Sequence, residues 1–221
     1  QDFNADGKLD YLIKRLFVDD TPQMSIYLSN GNDDTFEDVV LIEESEFTDL
    51  SVRVEATIVA RDLVNTPVLQ LNAEKLAYTA KKLGEECGFQ VEIFNKKKIE
   101  ALKMGGLLGV NKGSIDPPTF SIMEYKPENA RNSKPIVLVG KGVVYDTGGL
   151  SLKPSTAMDT MKSDMGGAAA VIGTMVAVSK AKLDVHVIGL VPATDNRPGG
   201  NAITPGDVIT MYDGSTIEVM N

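Results

Sequence analysis

Pro135-Ile136-Val137-Leu138-Val139-Gly140 is an uninterrupted apolar run rich in β-branched residues, closed by a glycine. It has the length of a strand, and with no polar residue at either parity it reads as buried on both faces. The segments around it decide the fold. Gly166 to about Ser179 is an Ala- and Val-rich helical stretch, and Val185 to Val191 is again strand-like. Upstream, Val91-Glu92-Ile93-Phe94 and Thr119-Phe120-Ser121-Ile122-Met123-Glu124-Tyr125 read as two more strands. Short apolar strands alternating with helices predict an α/β fold: a mixed, largely parallel sheet with helices on both faces.

Further towards the N-terminus, Asn72 caps a helix with Glu74 in its first turn and Leu76, Ala80 and Leu83 on one face; Gly84 or Gly88 ends it. Before it, Thr48 or Asp49 caps a helix running to about Asn65. Val54, Ile58, Val59 and Leu63 form its apolar stripe, and Thr66-Pro67 stops it. Residues 1 to 43 differ in style. Tyr11, Ile13 and Leu16, then Met24, Ile26 and Leu28, alternate as strands do, with Asn30-Gly31 as a hairpin turn. This change places a boundary near residue 47, between a β-rich segment (1–47) and an α/β domain (48–221).

The chain has 221 residues, 43% hydrophobic and 24% charged, as in a globular protein with a sizeable core. A net charge of −9 and a pI near 4.7 argue against nucleic acid or an anionic membrane as partner, since both need clustered Lys and Arg. The one basic run, Lys96-Lys97-Lys98, reads as a solvated loop. Cys87 stands alone, so no intrachain disulfide forms, and a reducing, cytoplasmic setting is expected. One His and one Cys exclude the usual His- or Cys-built zinc sites. No apolar window approaches a membrane span.

The chemistry is densest between Gly140 and Gly167. Lys141 stands at the carboxyl end of the apolar strand, where α/β sheets place their sites. Asp146 follows in a Gly-flanked loop, Lys153 comes next, and Asp164 precedes the Ala-rich helix. Carboxylates suit hard or borderline divalent ions, and a lysine joins them only as a neutral amine. From spacing alone, these residues could equally be surface salt bridges in a loop.

Larger motifs separate the two readings. Ala60-Arg61-Asp62-Leu63-Val64-Asn65-Thr66-Pro67, Met104-Gly105-Gly106-Leu107-Leu108, the 140–167 stretch, Val191-Pro192-Ala193-Thr194-Asp195-Asn196 and Pro205-Gly206-Asp207 occur in that order. In this, residues 52 to 221 resemble the leucine (cytosol) aminopeptidase family. The resemblance implies a peptidase that releases N-terminal, preferably apolar, residues from peptides through two divalent ions, manganese or zinc, with magnesium a further candidate. It implies that Lys141 ligates one metal, that Asp146 bridges both, and that Asp164 binds the same metal as Lys141. Lys153 would be the catalytic lysine, and Met161 would line the pocket for the substrate's first side chain. Family members assemble as homo-hexamers.

The departures are equally specific. In the family, Asn-Thr-Asp-Ala-Glu-Gly-Arg supplies the remaining ligands and an arginine that holds bicarbonate. Gly214 to Asn221 leads up to that segment and stops at its first residue. Asp195 and Asp207 belong to earlier loops and do not replace those ligands. The chain, which does not open on Met, is therefore expected to be a piece holding the first half of the site. As written it would be inactive, its alternative role being a folded or assembly module. Strands 135–140 and 185–191 are expected to lack a neighbour on at least one side.

Near the N-terminus, Asp2, Asn4, Asp6 and Asp10 flank Gly7 like a calcium loop, but Ile13 stands where an EF-hand needs Glu. With Tyr27 to Gly31 and Thr35-Phe36, the stretch resembles a calcium-binding propeller-type repeat. An acidic turn in a truncated N-terminal domain is the preferred alternative, since one repeat cannot close a propeller. Gly106 to Ser114 fails as a phosphate loop because Gly follows Lys112. His186, alternating with Val185 and Val187, reads as structural, and neither Cys87 nor Ser151 and Ser155 has the surroundings of a nucleophile.

Overall fold

The computed structural model describes residues 11–18, 21–29 and 36–220, with side chains from Ser45 onward. The chain divides into two units, Gln1–Val54 and Glu55–Asn221. The candidate calcium ligands Asp2, Asn4, Asp6 and Asp10, and the Asn30-Gly31 turn, lie outside the described residues.

The first unit contains an antiparallel sheet of β1 (Tyr11–Val18), β2 (Thr21–Ser29) and β3 (Phe36–Glu43), in that order. Helix α1 (Glu44–Asn65) follows directly, so it starts before the expected Thr48 or Asp49 cap. The division between the units falls inside it, beyond the boundary expected near residue 47. Of its expected stripe, Leu63 is buried and Val59 packs against the core. Val54 and Ile58 stay half exposed, and Ala56 is buried in their place. The reason is close packing: a Cβ on Gly173 would lie 2.9 Å from the Ala56 carbonyl and 3.2 Å from the Ala60 Cβ. The small residues therefore make the contact.

The second unit continues with α2 (Ala73–Cys87), β4 (Gln90–Phe94), α3 (Lys96–Ala101), α4 (Gly105–Asn111), β5 (Thr119–Tyr125), β6 (Ile136–Val139) and β7 (Gly142–Asp146). After these come α5 (Ser155–Met158), a 3-10 turn at Met161–Ser163, α6 (Gly166–Lys180), β8 (Val187–Asn196), and the hairpin β9 (Val208–Thr210) and β10 (Thr216–Glu218). Local chemistry sets several ends. The Asn72 side chain accepts from Lys75 N at 3.0 Å, and Gly88, at φ +91°, closes α2 in the left-handed conformation that favours glycine. Asn95 caps α3 in the same way, so Lys96-Lys97-Lys98 is a helical first turn, solvated but not a loop.

The sheet runs β4-β5-β8-β6, with β7 also on β8. Since β4 is antiparallel to β5, and β5 to β8, while β6 and β7 are parallel to β8, four strands point one way and only β5 is reversed. The mixed, largely parallel α/β sheet is thus observed. Thr119, Ser121 and Met123 of β5, and Val187, Gly189, Val191 and Ala193 of β8, are buried on one face. There they meet α6 through Val171 and Met175, and α2 through the bond from Thr119 Oγ1 to the Ala73 carbonyl. On the other parity, Thr194 accepts from Asn111 Nδ2 of α4 at 3.1 Å, so helices occupy both faces.

Two strand expectations are corrected. β6 is not buried on both faces: Ile136, Val137 and Val139 are 49, 50 and 69% exposed. Among the described residues it is an edge strand paired with β8 alone, and an apolar β-branched run does not reveal whether its faces are covered. The 185–191 strand, in contrast, has neighbours on both sides, with β5 on one and β6 on the other.

The core joins Leu76 and Ala80 of α2 to Met165, Ile172, Met175 and Val176 around α6 and to Met123 and Val191 of the sheet. Leu76 is fully enclosed, whereas Leu69 is 90% exposed. Leu76→Ala is expected to destabilise the chain by about 2–5 kcal/mol. Leu69→Ala should cost less than about 0.5 kcal/mol in the same urea titration. Equal effects would contradict this placement of the core.

Candidate metal centre

β6 and β7 are two halves of one line along β8. Val139 pairs with Leu190 and Gly142 with Ala193 at the same offset, and Gly140 N donates to the Leu190 carbonyl at 2.9 Å between them. Lys141 sits in the break. There its carbonyl accepts from Ala168 N at 2.9 Å, so the first turn of α6 crosses directly over the strand line. Only glycine permits this approach. A Cβ on Gly140 would lie 2.5 Å from the Gly167 carbonyl, and one on Gly167 would lie 2.9 Å from Lys141 N.

The crossing brings Asp164, two residues before α6, to Lys141: Nζ to Oδ2 is 3.0 Å. That Asp164 oxygen is buried, and the contact falls outside hydrogen-bond geometry, so it has no hydrogen-bond partner. The Lys141 side chain is 60% exposed.

At the far end of β7 the register slips between Val143 and Asp146, a bulge that re-aims the last residue. Asp146 thus ends a strand and is not in a loop as expected. Its Oδ1 accepts from Gly148 N and from Asn196 Nδ2, each at 2.8 Å, and its Oδ2 lies 3.0 Å from Lys153 Nζ. Burial pushes this carboxyl up, but the bonds from Gly148, Lys153 and Asn196 together hold it below the ordinary aspartate value. Lys153 reaches back because the loop folds on itself, with Lys153 N donating to the Thr147 carbonyl at 2.9 Å around Gly148 and Gly149, at φ +86° and +64°.

The expected residues thus form two ion pairs, Lys141–Asp164 and Lys153–Asp146. No hydrogen bond or ion pair among the described residues joins one pair to the other. Met161, half-buried, opens the 3-10 turn that leads to Asp164. Sequence reasoning missed the layer behind. Asn196 pairs with Asp146 in register and bonds it, and Tyr145 donates to the Met158 carbonyl at 3.1 Å. Arg197 stacks 4.7 Å above the Tyr145 ring and donates to buried Asp195 at 2.8 Å. The signal was the Thr194-Asp195-Asn196 motif, read as a landmark without a role.

Among the described residues no three His, Cys, Asp or Glu side chains gather to hold a metal. The donor set is instead two carboxylates and an amine, and the buried oxygen of Asp164, which accepts no hydrogen bond and meets the Lys141 ammonium, is the kind of atom a cation would satisfy. By donor chemistry alone, carboxylates and an amine suit a divalent ion. A groove of about 740 Å³ lies elsewhere, between Leu108, Asn111 and Lys112 of the α4 region and Ile203, Asp207 and Ile209. None of the expected site residues lines it. His186 bonds Glu124 on the sheet, and burial pushes the Cys87 thiol up, away from the reactive thiolate.

Comparison with known proteins places the chain in a family. The family profile described as "Cytosol aminopeptidase family, catalytic domain" matches residues 58–221. A "Probable cytosol aminopeptidase" of Chlorobium limicola is 57% identical over 162 residues, 73% of this chain and 32% of that protein. One from Chlorobaculum parvum is 59% identical over the same length and shares. The solved leucine aminopeptidase of Caenorhabditis elegans superposes with a TM-score of 0.75 at 30% identity, over 80% of this chain and 36% of that one. The chain therefore spans about a third of the length of the curated relatives it matches.

The lowered Asp146 value has a direction that unfolding can read. Its contribution is fully present above the unfolded aspartate value of about 3.9 and is lost as pH falls through the lower folded value. Asp146→Asn should flatten the acid limb of the stability profile, and an unchanged limb would contradict the hydrogen-bond assignment. Matched over most of its length by the family profile, the chain belongs to the cytosol aminopeptidase family.

Proposed function

We propose that this chain carries the Lys141, Asp146, Asp164 and Lys153 portion of a two-metal aminopeptidase that releases N-terminal, preferably apolar, residues from peptides. The observation that carries the proposal is the pairing of Lys141 with Asp164 and Lys153 with Asp146 at the two ends of β7. Family membership supports the reaction class. Asp146, Asp164 and the neutral amine of Lys141 would hold the ions, manganese or zinc with magnesium as a further candidate. When bound, the ions would hold the free amino terminus of the peptide and activate a water.

The remaining work falls to the protein's own groups. Lys153 is held by its backbone bond to Thr147 and by the Asp146 carboxylate, which keeps a positive charge fixed beside that acid. A fixed ammonium there would polarise the scissile carbonyl and stabilise the oxyanion without reorganising. Met161, unbranched and polarisable, would accept varied apolar side chains. The family resemblance also supports a cytoplasmic homo-hexamer as the setting of the whole protein. A second reading, a folded module without activity of its own, draws on the absence of any three-residue acidic or His/Cys cluster among the described residues.

Calorimetric titration with manganese or zinc tests the centre. Saturable binding by the 221-residue chain, lost in Asp146→Asn and Asp164→Asn, is expected; equal binding by all three would refute the assignment. Activity separates the two readings. If Lys141, Asp146, Asp164 and Lys153 need further ligands to act, the isolated chain should cleave a leucine anilide at least about 10³-fold more slowly than a full-length relative. Comparable turnover, with contaminating peptidase excluded, would show that these residues suffice.

A further inference from the structure

We infer that Asn196 is a positioning residue for Asp146, its side-chain amide fixing the carboxylate so that Oδ2 is the oxygen offered to a divalent cation. The inference rests on the metal-centre reading above and deepens it. Asp146 Oδ1 accepts two donors, the Gly148 N–H and Asn196 Nδ2, each at 2.8 Å. Two bonds use the in-plane lone pairs of that oxygen and set the plane of the carboxylate. Among the described residues, Oδ2 pairs with the Lys153 ammonium alone, at 3.0 Å. One oxygen is thus anchored by two neutral donors, and the other meets a single charged side chain.

Asn196 is itself held firmly. It lies opposite Asp146 in the β7–β8 register. Its carbonyl accepts from both Thr147 N at 3.0 Å and Thr147 Oγ1 at 2.8 Å. The same Thr147 hydroxyl accepts from Gly149 N at 3.2 Å, which joins the glycine turn to the anchor. A Cβ on Gly149 would lie 2.9 Å from Asn196 Oδ1, so a glycine there leaves space for the amide. The amide orientation is dictated by chemistry, because an ionised carboxylate only accepts and must meet the NH₂ group. Partners that orient a ligand in this way are worth about 10- to 100-fold in metal affinity.

The test uses the 221-residue chain, manganese calorimetry, and two variants that remove the donor: Asn196→Ala, and Asn196→Leu, which nearly keeps the shape. The folded variants are expected to bind manganese about 10- to 100-fold more weakly than the unaltered chain. The visible spectrum of bound cobalt should also shift as the carboxylate re-orients. A purely structural role would lower the metal-free melting temperature and leave affinity and spectrum as they were. That result in either folded variant overturns the inference. In the unaltered chain, the Asn196 side-chain amide resonances should move on adding zinc while those of exposed Asn201 do not. Immobile Asn196 resonances overturn the inference even if neither variant folds. Loss of affinity in Asp146→Asn but not in the Asn196 variants sinks this inference alone. No binding by the unaltered chain sinks the metal-centre reading and this one with it.

Discussion

The site depends on one close crossing, where the first turn of α6 passes over the backbone between β6 and β7. The bond from Ala168 N to the Lys141 carbonyl holds it, and the glycines at 140 and 167 make the distance attainable. Interrupting the strand line there leaves Lys141 out of the regular ladder, and the segment entering α6 brings Asp164 to it. Any side chain at either glycine would have to push the helix off the strand. The core beneath, built from Ile172, Met175 and Met123, would be pried open in turn, because close-packed interiors transmit strain. Fold stability and site geometry therefore share one contact.

Electrostatics complete what packing begins. Two carboxylates and two ammonium groups lie at the two ends of β7, paired one to one. The Lys141 pair is largely solvated on its lysine side, so as an ion pair it contributes little to stability. Its value lies in geometry. Asp146 is the more strongly built of the two acids, with a backbone donor, an amide donor and an ammonium all directed at it. Such investment of donors in one carboxylate keeps it ionised and oriented.

Local chemistry made much of this visible in the residues themselves. Asn72 and Gly88 bound α2 where side-chain capping and a left-handed turn require, and β5 spans Thr119–Tyr125 as its alternation indicates. The candidate acids and lysines lie in one contiguous stretch, and the fold pairs them as Lys141–Asp164 and Lys153–Asp146. What escaped was non-local. Whether Ile136 and Val137 are covered depends on what packs over each face of β6, and nothing in an apolar run records that. The stripe of α1 turned on Gly173, more than a hundred residues away, and the Asn196 bond to Asp146 exists only because β7 and β8 pair with a slip. Period and propensity describe single segments; register and crossing distance belong to pairs.

The central claim, that these residues form a divalent-ion centre at the ends of β7, is tested most directly by anomalous diffraction at the zinc edge on zinc-soaked crystals. The account predicts anomalous density about 2.0–2.2 Å from carboxylate oxygens of Asp146 and Asp164, absent from crystals of Asp146→Asn. Zinc density elsewhere on the surface, with Lys141–Asp164 and Lys153–Asp146 undisturbed, would contradict it.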